Sequence, residues 1–217
     1  MTQWVENPTG GRDRGPVALA RAWVEVLVRP RRFFRGAIAP GDQAPGLVFA
    51  MTVVLVEEAT RFALVSGAAP NLGDSPALSA LFGLAVATLF VAPAALHLTA
   101  ALQTVLLMAV APDRGGISET VQVIAYATAP CVFAGIPSPA LQTVCAVYGA
   151  ILFFVGLHEV HDTSALRALL AGVIPAALVF GYVFRGFAAM EELVVRRGGE
   201  VCLRLAELGA EVCVALG

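Results

Sequence analysis

Residues 77–111 read ALSALFGLAVATLFVAPAALHLTAALQTVLLMAVA, 35 consecutive positions without a formal charge. As a single α-helix this run would be about 52 Å long, whereas the hydrocarbon core of a bilayer is about 30 Å thick. A segment of that length and polarity is built for lipid. Dividing it into two crossings requires a turn, and Pro93 is the only proline inside it. It is therefore expected to form one long helix that kinks at Pro93 or projects beyond the membrane. His97 and Gln103 are its main polar interruptions.

Four further apolar segments flank this one. They run from Leu47 to Gly67, Glu119 to Ile136, Leu141 to Leu157 and Leu166 to Phe184. The Pro137-Ser138-Pro139 turn joins two of them into a hairpin, and Pro175 lies inside the last. Ahead of them, Val17 to Ile38 reads as an amphipathic helix. Leu19, Trp23, Val26 and Leu27 fall on one side, Arg21, Glu25 and Arg29 on the other, and Pro30 ends or bends it. The next residues, Arg31-Arg32-Phe33-Phe34-Arg35, place aromatics beside cations. This suits either the headgroup layer or a cytoplasmic helix packed on the protein itself. After Phe184 come Glu191, Glu192, Arg196, Arg197 and Arg204, periodic enough to predict a helical tail that Gly198-Gly199 breaks in two.

The expected fold is thus all-α, a polytopic membrane helical bundle. It has five transmembrane helices, an N-terminal amphipathic interfacial helix and a C-terminal helical tail. The expected divisions are 1–45, 46–185 and 186–217. Composition agrees, with 58% hydrophobic and 14% charged residues and a mean hydropathy of +0.79, where soluble domains carry about a quarter charged residues.

All 14 basic residues are arginines, and seven lie between Arg12 and Arg35. Arginine loops alternate along the chain in a way that places the N-terminus in the cytoplasm of a multi-pass cell-membrane protein. Arg185, Arg196 and Arg197 run against this pattern, since five crossings send the C-terminus outside. Trp4, Glu6, Pro8 and Gly10-Gly11 occupy the place of a signal peptide's apolar region, so the first span is expected to act as the insertion signal. The clustered arginines Arg29, Arg31, Arg32 and Arg35 predict contact with anionic headgroups. The four cysteines, Cys131, Cys145, Cys202 and Cys213, have no metal-site spacing and read as small hydrophobes. On a helical tail Cys202 and Cys213 would share one face.

Three polar constellations could carry chemistry. The first is Glu57, Glu58 and Arg61, inside the first span. Three central charges cost about 8 to 10 kcal/mol, against about 3 to 6 returned by that span's ten Leu, Val and Phe residues. A Glu57–Arg61 pair one turn apart would reduce the deficit. These residues, with His97, read either as an ion or proton site or as an ion pair that locks helices together. The second is His158-Glu159-Val160-His161-Asp162. If helical, His158, His161 and Asp162 share a face at a spacing compatible with a divalent metal, although polar residues are also ordinary at a water boundary. The third surrounds Gly115-Gly116, with Ser118 as a candidate N-cap, and Tyr126-Ala-Thr-Ala-Pro130, where the proline would kink its span and free a carbonyl. Catalytic serine and phosphate-loop motifs are absent, so no enzyme activity, cofactor or nucleic-acid partner is expected.

In order along the chain, the motifs are Pro30-Arg31-Arg32-Phe33-Phe34, Gly115-Gly116, Tyr126-Ala-Thr-Ala-Pro130, Leu157-His158-Glu159-Val160-His161 and the run from Ser164 to Leu169. Over about Trp23 to Phe184 this arrangement resembles the Yip domain family of Ypt/Rab-interacting integral membrane proteins, in its prokaryotic branch. The resemblance implies five spans, a cytoplasmic N-terminus and a non-enzymatic role in membrane organisation or protein interaction, with membrane-protein partners or self-association. It marks Tyr126, Pro130, His158, Glu159 and His161 as motif positions and carries no catalytic residue. The Asp-Leu-Tyr-Gly-Pro type motif of eukaryotic members is absent. A small ion or proton transporter, or a metal-binding membrane protein, are the other functions to be weighed.

Overall fold

The computed structural model describes residues 15–112, 114–197, 200–205 and 210–215. The readings placed on Trp4 to Gly11, on Arg12 and on Gly198-Gly199 lie outside the described residues.

The N-terminal amphipathic segment is two helices. These are α1, Pro16–Val28, and α2, Pro30–Ala37, separated at Arg29, whose φ of −135° is not helical. Each opens on a proline, which needs no hydrogen-bond acceptor in a first turn. Both are packed on the body of the protein, burying Ala18, Ala22, Val26, Phe33, Phe34 and Ala37. The phenol of Tyr148 donates to the carbonyl of Leu27, and the indole of Trp23 donates to Ala129 O at 2.8 Å.

Helix α3 spans Ala44–Leu64. The long apolar run then forms α4, Pro76–Val86, and α5, Ala92–Val110, joined by a wide π-helical turn at Ala87–Val91 into one continuous element. Pro93 explains the turn: it has no N–H for the carbonyl four residues back, and widening the preceding turn accommodates the defect without ending the helix. Along its outer side Leu78, Leu81, Phe82, Leu89, Phe90 and Leu98 are all more than half exposed. A water-facing helix would not present such a stripe.

The next segment becomes α6, Ile117–Ala127, and a 3-10 turn, Ala129–Phe133. Pro130 cannot continue the α-ladder, so the chain tightens there, with the Thr128 hydroxyl donating to Ala125 O at 2.7 Å. Every residue from Thr120 to Cys131 is buried, which makes this the innermost strip of the molecule. Gln122 holds it to the α2–α3 connection: its amide donates to Ala39 O at 2.7 Å and accepts from Ala39 N at 3.0 Å. Tyr126 stands edge-on to Phe33 and Phe49, with centroids 4.8 and 5.0 Å away.

Helix α7, Pro139–Val160, starts at the expected turn, where Ser138 Oγ accepts from Leu141 N. Helix α8, Ala165–Ala176, is capped in the same way by Ser164. It runs through Pro175 into a π-helical segment, Ala177–Val183, and then α9, Gly186–Leu193.

Among the described residues, three helices are long and apolar enough to cross a membrane: Pro76–Val110, Pro139–Val160 and Ala165–Val183. The other two of the five expected spans differ for stated reasons. Helix α3 has 21 residues but carries Glu57, Glu58 and Arg61, and α6 stops after 11 residues at the Thr128-to-Pro130 break. The helical fold class holds through Leu193, but the expected helical tail is corrected. Beyond α9 lies an antiparallel three-stranded meander of β1, Val194–Arg197, β2, Glu200–Leu205, and β3, Ala210–Ala215. The β-branched Val194, Val195, Val201, Val212 and Val214 outweigh the charge periodicity that suggested a helix. Cys202 and Cys213 are cross-strand register partners rather than neighbours on a helix face.

Candidate functional site

Glu57 and Glu58 follow one another on α3, so they point to different sides of the helix. Glu57 is the most deeply buried carboxylate among the described residues, at 2% exposure. It does not pair with Arg61, as the sequence spacing suggested. Arg61 turns to Glu58 instead, its Nε and one terminal nitrogen donating to Oε2 at 3.0 and 2.6 Å, with its guanidinium 5.1 Å over the Phe62 ring. Glu57 is met by Arg185, 128 positions along the chain, which also donates to Glu58 Oε1 at 3.3 Å.

Arg185 sits where the π-helical segment ends and α9 begins, in the left-handed conformation with φ 57° and ψ 21°. A non-glycine residue there stores on the order of 1–3 kcal/mol and persists only where its surroundings require it. The requirement is two carboxylates. Gly135 completes the arrangement, because a Cβ at that position would lie 2.1 Å from Glu57 O and 3.0 Å from Arg61 N. Only glycine allows the chain between the 3-10 turn and α7 to press against the backbone of α3. Two carboxylates and two guanidiniums sum to zero charge, and they clamp α3 to the α8–α9 junction.

His97 is not part of this group. Its Nδ1 lies 2.7 Å from Pro93 O and its Nε2 3.0 Å from Gln43 Oε1. Gln43 precedes α3 and stands 14 residues, about 21 Å of helix, from Glu57. The four polar residues singled out in the sequence, Glu57, Glu58, Arg61 and His97, are therefore one cluster and one separate histidine.

At the far end of α7, some 33 Å of helix from its first turn, the 158–162 motif is dispersed rather than gathered. His158 donates from Nδ1 to the carbonyl of Thr163. His161 turns inward, 1% exposed, with Nε2 3.4 Å from Thr120 Oγ1. Burial, and then the nearby Arg114 cation, lower its pKa to about 4, so the ring is neutral at physiological pH. Asp162 is exposed, with φ 43°. His158, His161 and Asp162 do not converge, and among the described residues no group of three or more His, Cys, Asp or Glu could hold a metal ion. The α7 helix ends at Val160, and the turn after it sends the imidazoles to different partners. Glu159 faces α2, accepting from Arg35 Nε at 2.5 Å, with Arg31 Nε at 3.8 Å.

Ser118, a candidate N-cap from sequence, lies inside the first turn of α6, whose cap is Gly116. Cys131 and Cys145 are buried free thiols, as small hydrophobes would be.

Sequence reasoning missed Arg185 and Gly135. The available signal for Arg185 was its conflict with the arginine pattern of the loops.

Long apolar helices, lipid-compatible outer faces and a neutralised charge cluster in the bundle define a multi-pass helical membrane protein. Residues 24–185 match the Yip1 domain, and the chain belongs to that family. Comparison with curated proteins and with solved structures gave no match.

Proposed function

We propose that this protein is a non-catalytic organising or interaction factor of the cell membrane, of prokaryotic Yip type, crossing the bilayer five times from a cytoplasmic N-terminus. In this reading α3 and the α6–3-10 unit supply the two crossings that length and composition alone do not assign. The neutral quartet is the condition for α3 to reside there. The observation that carries the proposal is the pairing of Glu57 with Arg185: the buried carboxylate that a cation or proton pathway would use already has a fixed guanidinium partner. A buried group held in that way locks helices, and transport needs one that exchanges partners.

Arg29, Arg31, Arg32 and Arg35 are exposed on α2 and the residue before it. They lie where they can meet anionic headgroups, as clustered arginines at a membrane surface do. The apolar outer side of α4–α5 offers lipid or a second membrane protein an extended contact.

Two experiments test this. Proteoliposomes holding the purified protein should show no proton or cation flux above protein-free vesicles, and flux abolished by Glu57→Gln and Glu58→Gln would overturn the reading. Crosslinking in native membranes should capture protein or self-association partners dependent on the α4–α5 face; capture unchanged by Leu89→Ser and Phe90→Ser would remove that face from the proposal.

A further inference from the structure

The turn Arg114-Gly115-Gly116 leads into α6 with unusual economy of capping. Its N-cap is Gly116, which has no side chain to offer, and the first α-helical bond is made by Thr120 N to Gly116 O. The amides of Ile117, Ser118 and Glu119 thus begin the helix without an internal carbonyl partner. A helix start of this kind carries partial positive charge and aims N–H groups at one point.

Three side-chain polar atoms are buried in the same stretch without a hydrogen-bond partner among the described residues: Arg114 Nε, Ser118 Oγ and His161 Nδ1. His161, at 1% exposure, is aimed into the turn from α7, its Nδ1 lying 3.3 Å from where a Cβ on Gly115 would be. Buried polar atoms of this kind are normally satisfied, so their grouping at one helix start needs a ligand or water. All three can donate when His161 carries its proton on Nδ1; the Thr120 hydroxyl, which lies 3.1 Å from Gly116 O and 3.4 Å from His161 Nε2, then turns its proton from that carbonyl to Nε2. Among the described residues, one carboxylate is folded over this turn. Glu119 Oε2 is 2.9 Å from where a Cβ on Gly116 would be, folded back over the turn that an incoming anion would occupy.

We infer that the Arg114-Gly115-Gly116 turn, the first amides of α6, Ser118 and His161 form a binding site for a phosphate group, with Glu119 as an internal carboxylate that the phosphate displaces. Phosphate matches the donors in number and direction, since its several oxygens can accept from amides, a hydroxyl, a guanidinium and an imidazole N–H together. The glycines matter because the anion must approach the backbone where any Cβ would stand. Arg31 and Arg35 lie at the same end of α7, on Glu159, so the phosphate could belong to a lipid headgroup or to a soluble metabolite. The recognition chemistry is the same for both.

The test uses the full chain in nanodiscs of a phosphate-free galactolipid, with the three histidines labelled by nitrogen-15 and His161 assigned by its loss in His161→Gln. One arm adds inorganic phosphate and the other replaces part of the lipid with phosphatidic acid. Saturable movement of the His161 ring signals is expected in one arm or both, and the arm that responds identifies the source. Gly115→Ala should weaken the response about tenfold, equivalent to about 1.4 kcal/mol, and Glu119→Gln should strengthen it severalfold. Should Gly115→Ala not fold, Arg114→Gln reads the same loss. Silence of His161 in both arms would mean that the buried atoms hold only water and overturns the inference. A response that persists undiminished in both Gly115→Ala and Arg114→Gln also overturns it.

Discussion

Replacing Arg185 by Gln removes one guanidinium and leaves Glu57 buried without a counter-charge. Breaking a buried ion pair from one side costs about 3–5 kcal/mol, because the remaining charge must stay desolvated or take up a proton. The Glu57 side chain is only 3% exposed, so that penalty applies to it, whereas Arg185 at 31% retains some solvent. The lower end, about 3 kcal/mol, is therefore the expected loss, roughly a hundredfold in the folding equilibrium. Glu58 keeps Arg61 and adds little. Gln is the informative replacement: Arg185→Gly would also relieve the left-handed backbone and mask part of the effect. The assay is unfolding in mixed dodecyl maltoside and SDS micelles, followed by the fluorescence of Trp23, which packs against Phe133. In a double-mutant cycle, Glu57→Gln combined with Arg185→Gln should recover about half of the loss, since two neutral amides replace an unpaired charge. A loss below about 1 kcal/mol for Arg185→Gln, or simple additivity in the cycle, would refute the claim that this pair holds α3 in place.

Gly135→Ala should destabilise by about 3 kcal/mol in the same titration, because its Cβ would meet the backbone of α3, which cannot rotate away as a side chain would. Stability should fall as pH drops from about 6.5 to about 4: the unfolded chain protonates His161 in that window while the folded chain does not, a difference on the order of 3 kcal/mol in full. His161→Gln should flatten that part of the pH profile in denaturation curves recorded between pH 4 and 7. Glu159→Gln should cost less than about 1 kcal/mol globally, since both arginines it meets are largely exposed. It should nevertheless raise amide exchange in α2 by hydrogen–deuterium mass spectrometry, and unchanged exchange there would show that apolar packing alone docks the helix.

Much of the fold is legible in local sequence because its causes are local. The uncharged run that starts at Ala77 forms one continuous helical element as far as Val110 and adapts at Pro93. The Pro137-Ser138-Pro139 turn starts α7, and Pro30 divides the N-terminal helices, each as proline chemistry requires. The tail misleads because charge spacing imitates a helix while its valines favour strands. The candidate site was half visible. Glu57, Glu58 and Arg61 are conspicuous in an apolar segment, but helical spacing assigned the wrong pair. The 158–162 motif looked like a ligand set because its spacing presumes a helix, and the helix stops at Val160.

By itself, then, the sequence determined that this chain belongs in a membrane, where its long helices run and which turns separate them, since hydropathy and proline act over a few residues. Only the tertiary structure decided what neutralises the charges. Arg185 reaches Glu57 across 128 positions because the α8–α9 junction folds back onto α3, and no periodicity encodes a contact at that range. The same holds for the inward turn of His161 toward Gly115, set by the packing of α6 against α7.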